Sequence, residues 1–183
     1  MKRRAVLAGL GALMLPGGAR SEGRMIDDFS GDPGARWEFV SDRVMGGVSS
    51  GRVAFEPAGE GVALHLTGEV STKNRGGFLQ ARRDLPQRLE RGAQGLELRV
   101  KGNGARYYLH VRTPGAVMPW SFYQAGFEAP ERWATVRVPF SAFAAKGGVI
   151  GGALKPQSVK SLGVVAYGAD YTADLWVARI GVY

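Results

Sequence analysis

At 183 residues, 45% of them hydrophobic and 22% charged, the chain is long enough for one domain with a full core and short for two. The absence of cysteine excludes a disulfide scaffold, a thiolate zinc site and a thiol nucleophile together. Half of the formal net charge of +8 comes from Lys2, Arg3, Arg4 and Arg20 near the start, and no Lys/Arg run or reading helix follows, which argues against a nucleic-acid partner.

The first segment, Met1 to Ser21, sets basic residues before an apolar run from Ala5 to Leu15, then Pro16-Gly17-Gly18 and the small residues Ala19 and Ser21. This is the pattern of a cleaved signal peptide. The run is shorter than the roughly 20 residues that span a bilayer, so no transmembrane segment is expected in the mature chain. Arg3-Arg4-Ala5-Val6-Leu7 is similar to a twin-arginine export signal, with a general secretory signal or a mitochondrial presequence as alternatives. The expectation is a single domain over residues 22–183, exported to the periplasm or secreted.

From Met25 onward short alternating segments are separated by Gly, Asn and Pro, and no helical period lasts three turns. This predicts an all-β fold, a two-sheet jelly-roll sandwich. Val40 to Gly51, VSDRVMGGVSSG, is a shaped loop with a Gly46-Gly47 break. Two readings of it stand open. In one, Asp42 and Ser49 hydrogen-bond loop backbone while Met45 plugs the core. In the other, Asp42, Arg43 and Ser49 form a rim that grips a partner peptide or a sugar.

Val62, Leu64 and Leu66 share one face of the next strand, with His65 on the other. Lys73 to Gly77 reads as a loop tip in which Asn74 and the glycines take positive φ, with a phosphate cradle as the alternative. Phe78, Gln80 and Arg82 then alternate with Leu79, Ala81 and Arg83, and Leu96, Leu98 and Val100 with charged residues. Between Ala105 and Arg112, Tyr107, Leu109 and Val111 point to a core while Arg106, Tyr108, His110 and Arg112 face away. If Gln80 and Arg82 share that outer face, they line one polar groove with Tyr108, His110 and Arg112.

Trp120, Phe122, Tyr123 and Phe127 read mainly as core and edge packing, although Trp120, following Pro119 in a loop, is free to stack on a ligand. Thr135 to Val138 and the segments 159–167 and 174–183 complete the strands, with one helical turn expected at Ser141 to Ala145. His65 and His110 each stand alone, without a carboxylate or second histidine at metal spacing. A Ser49, His110 and Asp42 trio lacks a nucleophile-elbow motif, and the adjacent Asp27 and Asp28 alternate in direction if they lie in a strand. No catalysis, metal or cofactor is expected.

The run Trp37, Val40, Asp42, Val44 to Gly47, Ser49, Gly51, followed by Gly68, Val70, Ser71, Asn74 and Gly76 to Phe78, resembles the signature blocks of the complex I intermediate-associated protein 30 family. Later echoes at Phe127, Trp133, Val138 to Ser141 and Leu162-Gly163 extend the likeness over nearly all of the chain after the leader. The resemblance implies a galactose-binding-like jelly roll and a non-catalytic role in assembling respiratory complex I. It implies a protein partner, with a membrane respiratory-complex subunit as the candidate. Because galactose-binding-like sandwiches often hold sugars, a carbohydrate-binding module with a glycan partner is the competing expectation. The leader departs from the family's mitochondrial setting, since it points across a bacterial membrane.

Overall fold

The computed structural model describes residues 24–59, 61–148 and 150–183, so the leader lies outside the described residues. The fold is all-β, two antiparallel six-stranded sheets packed face to face. Its strands are β1 (Met25–Asp27), β2 (Glu38–Ser41), β3 (Ser50–Ala58), β4 (Gly61–Val70), β5 (Phe78–Asp84), β6 (Gly95–Gly102), β7 (Arg106–Arg112), β8 (Phe122–Glu128), β9 (Ala134–Pro139), β10 (Ala144–Lys146), β11 (Ser161–Tyr167) and β12 (Tyr171–Val182). One sheet runs β3-β4-β12-β6-β9, with β1 joining β12 where β4 leaves it. The other runs β10-β8-β7-β11-β5-β2. The helical turn expected at Ser141 to Ala145 is a shorter 3-10 turn, Phe140–Ala142, because Ala144 and Ala145 pair with β8 as β10.

Alternation along the strands makes the core. Leu64, Leu66, Leu96, Leu98, Val100, Leu175 and Val177 from one sheet meet Leu79, Ala81, Tyr107, Leu109, Val111, Leu162 and Val164 from the other, all essentially inaccessible to solvent. Truncating one of these leucines to alanine would cost on the order of 2–5 kcal/mol. Tyr123 and Phe127 are core residues as expected. β11, in the middle of its sheet, is buried on both faces up to Ala166, so something covers its outer side.

At the edge of the core sits an ionic cluster. Arg83 follows the inward register of Leu79 and Ala81, and its guanidinium reaches the buried Asp27 carboxylate. Asp27 also accepts from Arg36 (3.0 Å), from the Trp37 indole (2.9 Å) and from the Phe29 backbone (2.9 Å). Burial pushes the Asp27 carboxyl up, but the bonds from Arg36, Trp37 and Phe29 and the charge of Arg83 outweigh it and hold it below the usual range. The cluster ties the β1 segment and the entry to β2 onto β5.

Removing one member strands a buried charge, while removing the pair does not. Asp27→Ala should therefore lower unfolding free energy by about 3–5 kcal/mol, and Asp27→Ala with Arg83→Met should recover a large part of it. Urea denaturation of the two variants checks this. A double variant no more stable than the single would mean that Arg83 is not the stranded partner.

Candidate functional site

The loop after β2 is organised by one carboxylate. Asp42, fully buried, accepts from the Ser49 backbone (3.0 Å) and hydroxyl (2.5 Å), and from the backbone N–H groups of Gly77 (2.5 Å) and Phe78 (3.4 Å). Ser49 Oγ in turn accepts from Ser71 N at 2.9 Å. Gly47 and Gly76 pack directly on the carboxylate: a Cβ on Gly47 would lie 2.3 Å from Asp42 Cγ, and one on Gly76 2.3 Å from Oδ2. Burial raises the Asp42 carboxyl, but the four donated bonds hold it below the ordinary carboxylate range.

Asp42 and Ser49 are thus inaccessible and committed to backbone, so the rim reading fails for them. Met45 does not plug the core either: it is 59% exposed, because the turn carries it outward. Arg43 is exposed beside it. Asn74 takes positive φ as expected (57°) and donates to the Gly46 carbonyl at 3.3 Å, joining the second loop to the first.

The expected groove residues do share one face. Gln80 and Tyr108 flank Val165, Arg82 and His110 flank Gly163, and Arg112 lies across from Ser161, all on the outer side of β5, β11 and β7. Gln80 lies flat over Gly163, where an added Cβ would meet its Nε2 at 2.0 Å. This cover explains the burial of central β11. Arg82 pairs with Glu38 at 2.7 Å. Arg112 reaches beyond the strand end to the carbonyls of Ala116 (2.7 Å) and Met118 (3.2 Å), ordering the loop that carries Trp120.

Aromatic rings fill the middle of this face. His110 stacks on Phe122 with centroids 4.0 Å apart and planes at 19°, and Tyr167 stands edge-on to it at 5.2 Å. Tyr167 is also edge-on to Tyr108 at 5.8 Å, and the Arg106 guanidinium lies over Tyr108. Burial lowers the His110 imidazole to about 3, so at neutral pH the ring is uncharged and its Nε2 accepts from the Gln124 amide at 2.9 Å. Gln124 and Tyr167 are not singled out by the sequence, and Phe122 reads there only as core or edge packing. Phe122 and Gln124 alternate with the buried Tyr123 and Ala125, a signal that was present, whereas Tyr167 ends an unbroken apolar run that has no alternation.

Other residues separate. Trp120, 52% exposed, lies beyond the Arg112 end of the sheet, while Arg43 and Asn74 lie beyond the opposite, Phe78 end. Ser49, Asp42 and His110 do not assemble, since His110 bonds Gln124 and the other two bond the loop. His65 is not alone: Glu56 and Asp174 each lie 2.9 Å from one of its nitrogens, on the outer face of the other sheet, with Trp176 stacked against the ring. Among the described residues no group of three His, Cys, Asp or Glu is placed to hold a metal, and no helix is long and apolar enough to cross a membrane.

Residues 28–174, which contain both glycine-rich blocks and every strand of this face, match the model of complex I intermediate-associated protein 30. The chain belongs to the complex I intermediate-associated protein 30 (CIA30) family. No curated protein matches it. In fold, this CIA30 member is similar to the family 11 carbohydrate-binding module of the cellulosomal cellulase Lic26A-Cel5E of Clostridium thermocellum, with 17% identity, a TM-score of 0.71, and 87% of this chain and 93% of that one covered. The family 11 module from Clostridium thermocellum in complex with a beta-1,3-1,4-mixed-linked tetrasaccharide gives 17% identity, a TM-score of 0.70 and coverage of 87% and 94%. An exo-beta-agarase matches at 11% identity and a TM-score of 0.59, over 87% of this chain but only 24% of the enzyme. These likenesses establish the jelly-roll sandwich for this CIA30 domain.

The neutral His110 ring carries a pH signature. A group whose folded pKa is depressed contributes stability that is present above its unfolded value, near 6.5, and is lost as pH falls toward about 3. His110→Gln should flatten the decline in stability between those two pH values, measured as urea midpoints against pH. A decline as steep as that of the wild type would show that His110 charges normally in the folded state.

Proposed function

We propose that the chain is a non-catalytic binding protein that takes a glycan chain across the outer face of β8, β7, β11 and β5. The observation that carries this is the ring cluster of Tyr108, His110, Phe122 and Tyr167 on one face, framed by the amides of Gln80 and Gln124 and by Arg82. Sugar rings present apolar C–H faces and equatorial hydroxyls. Aromatic planes hold the former, and amides and guanidinium groups bond the latter. The buried, neutral His110 ring backs Phe122 and Tyr167 and fixes their planes rather than acting as a base.

A non-catalytic role is supported by how the polar groups of the expected catalytic sets are used. Ser49 and Asp42 are locked into loop structure, Asp27 is neutralised by Arg36 and Arg83, and Asp28 bonds Ser30. The leader pattern Met1 to Ser21 supports export to the periplasm or beyond. A second reading, favoured by the family match, gives the same face a protein partner in respiratory-complex assembly. The two readings differ in ligand, not in location.

Titration calorimetry with soluble beta-1,3-1,4-linked glucan, backed by a glycan array, separates them. Saturable binding is expected, with Tyr108→Ala plus Phe122→Ala weakening it at least tenfold, about 1.4 kcal/mol, without a matching fall in melting temperature. No saturable binding to any glycan, together with specific crosslinking of a membrane protein lost in the same double variant, would replace the glycan reading by the protein reading.

A further inference from the structure

The Val40 to Gly51 loop does more than its hydrogen bonds require. It holds three aliphatic side chains out in water: Val44 is 77% exposed, Met45 59% and Val48 43%. A floppy loop would bury such side chains against its own body, yet this one is fixed. Gly46 N bonds the Arg43 carbonyl (3.2 Å), Gly47 N the Asp42 carbonyl (2.9 Å), Ser49 N the Asp42 carboxylate (3.0 Å), and Asn74 holds the Gly46 carbonyl (3.3 Å). The ordering entropy of presenting these side chains is already met in the folded chain.

Around this tip the exposed charge is mainly positive, three cations against the exposed acid Asp170, which feels the charge of Lys73. Arg43 lies in the turn itself, and Lys73 and Arg75 flank Asn74, whose side chain touches it. None of the three cations is in an ion pair among the described residues. The acid on the adjoining loop, Asp170, accepts from the backbone and hydroxyl of Thr72 at 2.6 and 2.7 Å.

We propose that this tip docks on a lipid surface bearing anionic headgroups, with Val44, Met45 and Val48 entering the interface and Arg43, Lys73 and Arg75 meeting phosphates. A protein partner fits less well. Three aliphatic side chains offer a few hundred Å², short of the roughly 1,000 Å² that a specific protein interface buries, whereas a bilayer needs no matching pocket and gains from each apolar group and each cation separately. The opposite end supplies an internal contrast. Residues 113–121 expose Val117 (76%) and Trp120 (52%) but include no charged residue. This docking is independent of the ligand on the sheet face, because the tip lies beyond the sheet's end.

The chain has no cysteine, so single cysteines report cleanly. The full chain carrying Met45→Cys or Val117→Cys is labelled with an environment-sensitive fluorophore and mixed with vesicles of phosphatidylcholine alone or with an equal part of phosphatidylglycerol. The label at 45 should shift to the blue on the anionic vesicles only. Arg43→Gln, Lys73→Gln and Arg75→Asn together should raise the lipid needed for half the shift at least tenfold. Recruitment through any other part of the chain leaves the label at 45 in water, and that outcome overturns the proposal. So does an equal shift at 117, an equal shift on phosphatidylcholine, or indifference to the charge variant.

Discussion

A single buried carboxylate links the two surfaces for which binding is proposed. Asp42 accepts two bonds from Ser49 in its own loop and two from Gly77 and Phe78, where β5 begins. Four donors on one ionised group are what make its burial tolerable, since an unpaired buried carboxylate would be lost to protonation or unfolding. The same geometry explains the residue types around it. Only glycine fits at 47 and 76, where any Cβ would overlap the carboxylate. The two glycine-rich blocks of the family are thus the two halves of one clamp, far apart in sequence and joined at one side chain.

Two surfaces hang on that clamp. Phe78 opens β5, so its position sets where Gln80 and Arg82 stand beside β11 and, through it, beside Tyr108 and His110 on β7. On the other side of the clamp the chain must turn outward between Asp42 and Ser49, which lifts Val44, Met45 and Val48 into solvent. The outer face of the opposite sheet differs in kind. There Glu97 pairs with Arg137 and Arg179, and His65 lies between Glu56 and Asp174, a charged cover of short-range pairs. On the first face the rings of Tyr108, His110, Phe122 and Tyr167 touch one another, whereas the opposite face carries one stacked pair, His65 on Trp176, among its charges, and this asymmetry is why ligand binding is proposed on the first.

Much of this was legible in the chain. Strict alternation at 78–83 and 105–112 placed Gln80, Arg82, Tyr108, His110 and Arg112 on one face, because register alone decides facing in a strand. What alternation cannot give is the identity of cross-strand neighbours. His65 meets Glu56 nine residues back and Asp174 more than a hundred residues ahead, so it looked solitary. Phe122 stands in sequence among aromatics of which Tyr123 and Phe127 are core and Trp120 is exposed, and only its own parity points it outward. Hydrophobicity points Met45 inward in one of the two readings of its loop, a rule that fails where a turn is fixed by polar bonds. The sequence puts Trp120 in a loop but does not say at which end of the sheet, and antiparallel pairing sets it at the end opposite Arg43 and Asn74.

The central claim is that the Asp42 carboxylate joins the two loops as an ionised acceptor. Following its side-chain carbon signal by nuclear magnetic resonance from pH 7 to pH 2, together with the amide signals of Ser49, Gly77 and Phe78, tests this directly. The account predicts a midpoint below the ordinary carboxylate range, with all three amides, and those of Arg43 to Val48 and Gln80 to Arg82, moving at that same midpoint as the clamp's contribution is lost on acidification. A midpoint in the ordinary range, or Gly77 and Phe78 amides that ignore the titration, would contradict it.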